Sequence, residues 1–386
     1  MLLKNCITVE DYRRRAQNAL PAPIYDYLAG GADDEWSVSN NQSAFNRFQL
    51  MPEYLRDISE IDMSATVLGA ELAAPIILAP TGMSRLFHHE KEVGVVRAAH
   101  EAGLMYSLST MSTTSIEDVA SASAGANMFQ IYIHKDRSLT DEFVDRAKTA
   151  KYDALCLTVD TPLAGNRERD QRSGFEMPPR LKMKSLLSFA AHPRWAYNLL
   201  RHPDFNLANL AGRRDTLGVS SGAGAVGVIE YVNSQFDRTV TWDNVARIVE
   251  RWGGPFAIKG LQSAEDAARA VDVGASAVMI SNHGGRQLDF APAPIDCVAP
   301  MRDKVGNGLE LIVDGGVRRG TDVLKALALG ANAVSFGRPY LYALAAGGER
   351  GVQQYLATLK EELARDMALL GARNLREIEE RHCIPV

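Results

Sequence analysis

Eight short apolar runs, several of them β-branched, recur along this 386-residue chain with helical patterns between them. They lie at 75–79 (PIILA), 105–109 (MYSLS), 128–133 (MFQIYI), 154–160 (ALCLTVD), 255–260 (PFAIKG), 277–281 (AVMIS), 310–314 (ELIVD) and 333–337 (AVSFG). A run that is apolar along its whole length, rather than at alternate residues, reads as a strand buried on both faces. The segments between look amphipathic: 90–102 carries Val93, Val96, Ala98 and Ala99 on one side, and 263–273 and 321–329 behave alike. Strands alternating with helices make a parallel sheet, and eight such units in this length predict a closed (β/α)8 TIM barrel, an α/β fold. A doubly wound open sheet is the alternative, but no GxGxxG turn follows the first run.

Two parts fall outside the eight units. Residues 1–70 read as a helical preamble, with a helix over 9–19 and a turn at Leu28-Ala29-Gly30-Gly31. Between the fourth and fifth runs, 161–254 is far longer than an ordinary strand-to-helix connection, which suggests a lid or binding insert. It divides into a basic, aromatic part, a Gly/Ser-rich part at 216–227, and a helix leading into the fifth strand. The expectation is therefore one domain over 1–386, with the barrel in 71–386.

The net charge of −5 gives no reason to expect a nucleic-acid partner. Cys6, Cys156, Cys297 and Cys383 lack CxxC or zinc-like spacing, so a reduced compartment and no metal are expected. The opening MLLKNCITVEDYRRR has too short an apolar stretch for a signal peptide, and no uninterrupted apolar stretch is long enough to span a bilayer.

A barrel of this type builds its active site at the carboxyl ends of its strands. There this chain places Pro80-Thr81-Gly82, Ser109, Gln130 with Tyr132, Thr158 with Asp160, Lys259, Ser281 with His283, Asp314, and Gly337-Arg338. The seventh and eighth carry an anion signal. Asp314-Gly315-Gly316-Val317-Arg318 is a glycine turn running into arginines and a helix start, and Gly337-Arg338-Pro339 closes the next strand. Glycine lets the backbone approach an anion, helix N-terminal amides point at it, and arginine adds paired donors. A phosphorylated cofactor or substrate is favoured over simple capping. Lys259, at the end of an apolar strand, suits either a Schiff base or a fixed charge beside a developing anion. Asp160 and His283 form a candidate acid–base pair, and Arg167 and Arg286 a fork for a carboxylate.

With these residues assembled, the chain resembles the FMN-dependent 2-hydroxy-acid dehydrogenases and oxidases: glycolate oxidase, lactate oxidase, lactate dehydrogenase and mandelate dehydrogenase. The likeness runs from YDYLAGGADDEWS at 25–37 to GRPYLYALAAGGERGV at 337–352, and SNHGGRQLD at 281–289 and DGGVRRGTDVLKALALGA from 314 are its most specific motifs. The resemblance implies that Pro80, Thr81, Gly82, Ser109, Gln130 and Thr158 contact the flavin ring and its side chain. It places Lys259 beside the ring's N1 and C2 carbonyl, and Ser281, Asp314, Gly315, Gly316, Arg318, Gly337 and Arg338 around the cofactor, several of them on its ribityl chain and phosphate. His283 would be the base with Asp160 behind it, Tyr132 would meet the substrate hydroxyl, and Tyr27, Arg167 and Arg286 its carboxylate.

The same likeness separates acceptors and substrates. Oxidases of the family usually carry alanine where this chain has Gly82, which suggests a dehydrogenase passing electrons to a quinone or cytochrome. Residues 176–214 hold seven Lys/Arg against two acids, interleaved with Leu186, Leu187, Phe189, Trp195, Tyr197, Leu199 and Leu200. A basic, amphipathic, Trp-bearing segment suits an anionic membrane surface, and it resembles the membrane-docking insert of mandelate and lactate dehydrogenases. The alternative is a lid or subunit contact. A cytoplasmic, peripherally bound homo-oligomer, a tetramer, is expected. Met111 stands where glycolate oxidases carry tryptophan, so a substrate larger than glycolate is expected: L-lactate first, then mandelate or another longer acid. An IMP-dehydrogenase-like flavin barrel and a non-catalytic barrel are the readings from other classes, and both fit the histidine motif poorly. Two departures from the family stand out. Where relatives read HPEGE the chain has His88-His89-Glu90-Lys91-Glu92, and Asn166 occupies a position often held by arginine in oxidases.

Overall fold

The computed structural model describes residues 3–175, 183–203, 205–210 and 236–386. Its centre is a closed barrel of eight parallel strands. These are β1 (Ile76–Thr81), β2 (Met105–Ser109), β3 (Asn127–Ile131), β4 (Ala154–Thr158), β5 (Phe256–Leu261), β6 (Ala277–Ile280), β7 (Glu310–Asp314) and β8 (Ala333–Phe336). Each neighbours the next in sequence, and β8 closes on β1 through Val334↔Ile76. All eight predicted runs are strands. Their ends move by a residue or two, which leaves Tyr132 and Asp160 just beyond β3 and β4.

Every strand sends at least one side chain into a sealed layer of Ile77, Met105, Met128, Ala154, Cys156, Ala257, Ala277, Met279, Ile312 and Ala333. Flexible methionines set against small alanines fill the tapering interior without polar atoms. Val67 and Leu68, fully buried, join this layer from the hairpin Ala65–Val67/Ala70–Leu72. Leu68 and Gly69 turn the hairpin at φ +50° and +76°, the left-handed pair that matches strand twist.

That hairpin corrects the expectation of a purely helical preamble. Helices do form at Val9–Ala19, Ala22–Ala29 and Trp36–Ser43, the first opened by a reciprocal Thr8/Asp11 capping box. Residues 48–72, however, contain three strands of three residues each, one of which pairs Phe48–Leu50 antiparallel to Cys383–Pro385. Strands that short carry too few alternations to register as a period in the sequence.

In the insert, the predicted helix into β5 is Trp242–Trp252, and Glu168–Ser173, Met183–Ala191 and Pro193–Arg201 are helical too. The Gly/Ser-rich stretch 216–227 and parts of the basic segment lie outside the described residues. The apolar side chains of that segment divide. Trp195 Nε1 donates to the Leu86 carbonyl at 2.8 Å with the Phe189 ring 5.3 Å away, whereas Met183, Leu186, Leu187, Tyr197 and Leu200 are exposed. Among the described residues no helix is long and apolar enough to cross a membrane. All four cysteines are free and buried.

Candidate active site

The carboxyl ends of the strands open into one cavity lined by almost every side chain singled out above. Its floor is a buried polar network. Lys259 on β5 sits 2.8 Å from Asp314 at the end of β7, and its ammonium donates to Ser281 Oγ at 3.0 Å. Ser281 donates in turn to Asp314 Oδ2 at 2.8 Å and accepts the His283 backbone N–H at 3.0 Å. Burial opposes the lysine's charge, but Asp314 and then Asp160 outweigh it and hold its pKa above the usual lysine range. Burial likewise works against the Asp314 carboxylate, and Lys259 overcomes it, leaving the pKa lowered. The pair is therefore ionised throughout the neutral range.

His283 stands in a left-handed turn with φ of +57°, followed by Gly284 at +65° and Gly285 at +73°. A non-glycine residue there costs about 1 kcal/mol, and the surrounding bonds fix it. A side chain on Gly285 would meet Val38 N at 2.7 Å, so the turn packs directly on the Trp36–Ser43 helix. His283 Nδ1 lies 2.9 Å from Asp160 Oδ1. An ionised carboxylate only accepts, so Nδ1 is the donor, and in the neutral ring the lone pair falls on Nε2. Room for Asp160 comes from a register shift in β5 between Lys259 and Leu261. Gly260 there has φ +109°, and a Cβ on it would stand 2.6 Å from Asp160 Cβ.

Tyr27, Arg167 and Arg286 converge as expected. The two guanidinium carbons lie 5.6 Å and 5.0 Å from the Tyr27 ring centroid. Arg286 Nη1 donates to the carbonyls of Tyr27 and Gly30 at 2.7 and 3.0 Å, which accounts for two of its five donor hydrogens. Burial, and next the charge of Arg167, pull the Arg286 pKa down to about 10. Asp170, 3.5 Å from Arg167 Nε, is itself pushed up by burial. Two cations crowded against one aromatic ring form a site that an anion would relieve.

One wall carries Thr81, Ser109, Gln130 and Thr158, with Ser109 Oγ donating to Gln130 Oε1 at 3.1 Å. At the far end, Gly315 and Gly316 turn at φ +120° and +83°, and Gly337 caps the N-terminus of the helical segment Arg338–Leu370, which breaks at Gly347 and Gly348. A glycine turn beside a helix N-terminus is an arrangement that can cradle an anion.

The Arg338 guanidinium donates to the carbonyls of Leu28 (3.3 Å), Gly284 (2.7 Å) and Gly30 (2.7 Å), so it braces two turns while the residue lines the cavity. Arg318 lines the cavity, with Nη1 bonded to its own Val317 carbonyl at 2.8 Å.

Sequence reasoning missed several supports. Gln287 donates to the carbonyls of Asp160 and Leu163 and accepts from Gly165 N, tying the loop after β4 to the histidine turn. Asn282 and Asn41 exchange amide bonds at 2.7 Å in both directions, and Asp289 accepts from Trp36 N and Ser37 N. Gln287, Asn282 and Asp289 all lie inside SNHGGRQLD, so the signal was the motif itself. Phe87, stacked 6.4 Å from Tyr27, and Phe236, 5.1 Å from Tyr132, had no sequence signal.

Comparison with known proteins agrees with this geometry. A family model described as FMN-dependent dehydrogenase matches residues 16–385. Glycolate oxidase 3 of Oryza sativa subsp. indica is 41% identical over 376 residues, 97% of this chain and 95% of that protein. Glycolate oxidase of Spinacia oleracea is 40% identical over 374 residues, 97% and 94% of the two chains. Among solved structures, one described as the monotopic membrane protein (S)-mandelate dehydrogenase superposes with a TM-score of 0.93 at 37% identity, covering 99% of this chain and 100% of its own. A mandelate oxidase variant with (S)-mandelic acid gives 0.81 at 35% identity, covering 98% of each chain.

Proposed function

This chain belongs to the FMN-dependent dehydrogenase family and is an FMN-dependent 2-hydroxy-acid oxidoreductase, and from that premise we propose that it oxidises an L-2-hydroxy acid with an apolar side chain, L-lactate first, and passes the electrons to a quinone or cytochrome. The observation that carries the reading is the pairing, across one cavity, of the His283–Asp160 couple with the two guanidinium groups facing Tyr27.

The residues present fit FMN. The wall of Thr81, Ser109, Gln130 and Thr158 offers hydrogen-bonding groups suited to a flat ring with alternating donors and acceptors. Gly316 and Gly337 let the backbone approach a phosphate closely, with Pro80 and Gly82 completing the lining. FMN, when bound, supplies the two-electron acceptor. Lys259, fixed in its charged form by Asp314, offsets negative charge on that acceptor without any proton moving. Arg167 and Arg286 bind the substrate carboxylate and set its orientation, and Tyr132 hydrogen-bonds its hydroxyl. His283 Nε2 takes the proton, and Asp160 stabilises the resulting imidazolium.

Met111, Phe87, Leu163 and Phe236 line the substrate end. Glycolate would leave those apolar side chains uncovered, which supports a methyl or larger substituent. For the acceptor, the support is local. A Cβ added at Gly82 would stand 2.9 Å from Met111 Cβ, so the alanine expected of an oxidase does not fit without movement there. The 41% identity to glycolate oxidases keeps an oxygen-using oxidase as the second reading. The exposed Met183, Leu186, Leu187, Tyr197 and Leu200, beside Lys184, Arg194 and Arg201, support peripheral binding to an anionic membrane, on the cytoplasmic side. For a tetramer, the exposed Trp36–Phe290 stack beside Leu288 offers a contact face, to be tested by light scattering.

The deciding experiment is anaerobic bleaching of the flavin by a panel of L-2-hydroxy acids, followed by stopped-flow reoxidation with oxygen and with a soluble quinone. Fast reoxidation by oxygen and slow by quinone would overturn the dehydrogenase assignment. Bleaching by glycolate alone would overturn the substrate class.

A further inference from the structure

Outside the flavin cavity, one cluster of ligating side chains has no part in the chemistry above. We propose that His88, His89 and Glu90 form a three-ligand binding site for a divalent transition metal of the zinc type, with the His202 ring of the insert packed against it. No spacing in the sequence marks it, because its three residues are consecutive.

The ligand atoms of His88, His89 and Glu90 all lie within 4.8 Å of one another, with His88 Nδ1 and Glu90 Oε2 3.5 Å apart. Ligands around a tetrahedral zinc stand roughly 3.3–3.5 Å apart, given Zn–N and Zn–O bonds near 2.0–2.2 Å. Closure thus needs only side-chain rotation. His89 Nδ1 is buried and has no hydrogen-bond partner among the described residues, an omission that a ligand would repair. The His202 ring stacks on His89 at 4.7 Å and 12°. It immediately follows the Pro193–Arg201 helix, whose carboxyl end is held by Arg85 through the carbonyls of Asn198 and His202. Imidazole with one carboxylate selects zinc, nickel or copper over magnesium or calcium.

The position gives the site a consequence. Phe87, which stacks on Tyr27, precedes the cluster, and His202 belongs to the insert. A bound metal would fix the His89 ring on which His202 stacks, and so stiffen one rim of the cavity.

The test uses tag-free, chelator-treated holoenzyme titrated with Zn2+ by calorimetry, with Co2+ as a spectroscopic probe. One equivalent binding with a dissociation constant on the order of micromolar, and a Co2+ visible band of tetrahedral intensity, are expected. His89→Pro, which restores the residue common among relatives, should weaken binding by more than about tenfold while leaving FMN content and metal-free turnover unchanged. His202→Gln should weaken it less. Failure to bind Zn2+, or binding unaltered in His89→Pro, would overturn the site. Unaltered affinity in His202→Gln would overturn the bridge to the insert.

Discussion

Asp160→Asn removes one negative charge and almost no volume, and so isolates the electrostatic work done behind His283. In the structure Asp160 Oδ1 is 2.9 Å from His283 Nδ1, both side chains are largely buried, and Oδ2 has no hydrogen-bond partner among the described residues. The carboxylate's side-chain hydrogen bonding is therefore concentrated on the imidazole. A charge-assisted hydrogen bond is worth about 1.5–3 kcal/mol, and an unscreened ion pair near 4 Å at an effective dielectric of 20 sets an upper bound of about 4 kcal/mol. Taking about 2–3 kcal/mol at the transition state, where the imidazole becomes charged, the rate of flavin reduction should fall about 30- to 150-fold. An asparagine amide turned toward Nδ1 would also leave the proton on Nε2, the wrong tautomer for a base. Stopped-flow bleaching under anaerobic conditions reads this step directly. Substrate affinity should change little, since Arg167 and Arg286 are untouched, and an isotope effect with the α-deuterated acid should persist. A variant that kept more than about a third of the reduction rate with FMN fully bound would refute the reasoning.

Arg286→Lys keeps a charge but loses the planar fork and the brace to Tyr27 and Gly30. It should lower kcat/KM about 10- to 100-fold, mainly through KM, as measured in initial-rate assays. Lys259→Met leaves the Asp314 carboxylate buried without its cation, so a loss of about 3–5 kcal/mol and of FMN retention is expected in thermal melts. Because the Asp314 pKa is lowered in the fold, its share of stability is present above the usual carboxylate range and disappears as pH falls through the folded value. The apoprotein should accordingly weaken on acidification and not between pH 6 and 8, about two units or more from either partner's range, which melts across pH would show. Met111→Trp should cut kcat/KM for lactate and longer acids while sparing glycolate, checked with the same substrate panel. Replacing Leu187 and Leu200 together by glutamate should abolish flotation with anionic vesicles, whereas unchanged flotation would favour a lid or subunit contact.

The barrel was legible because eight strands buried on both faces leave continuous apolar runs, and the residues that end them are the ones that face the cavity. His283, Lys259, Asp314 and the paired arginines could be named for the same reason: charge at the end of an apolar strand is costly and therefore conspicuous. Contacts that depend on the partner's position were not legible. Arg338 follows Gly337 at the cavity, but nothing in the sequence says that its guanidinium meets the carbonyls of Leu28 and Gly30. The hairpin at 65–72 was hidden by its brevity, and the split of the insert's apolar residues into packed and exposed sets depends on which helix face meets Leu86.

The brace made by Arg338 also bears on when the protein becomes an enzyme. It joins residues 308 and 310 positions apart, and Arg286 reaches back 259 and 256. The turn that holds Tyr27 is synthesised well before the arginines that support it, which lie 256 and 308 residues beyond Gly30. Contacts so distant in sequence form late and slowly. A nascent chain, even one with most of its barrel translated, would have no carboxylate site, and substrate binding would begin only after synthesis had passed the final strand.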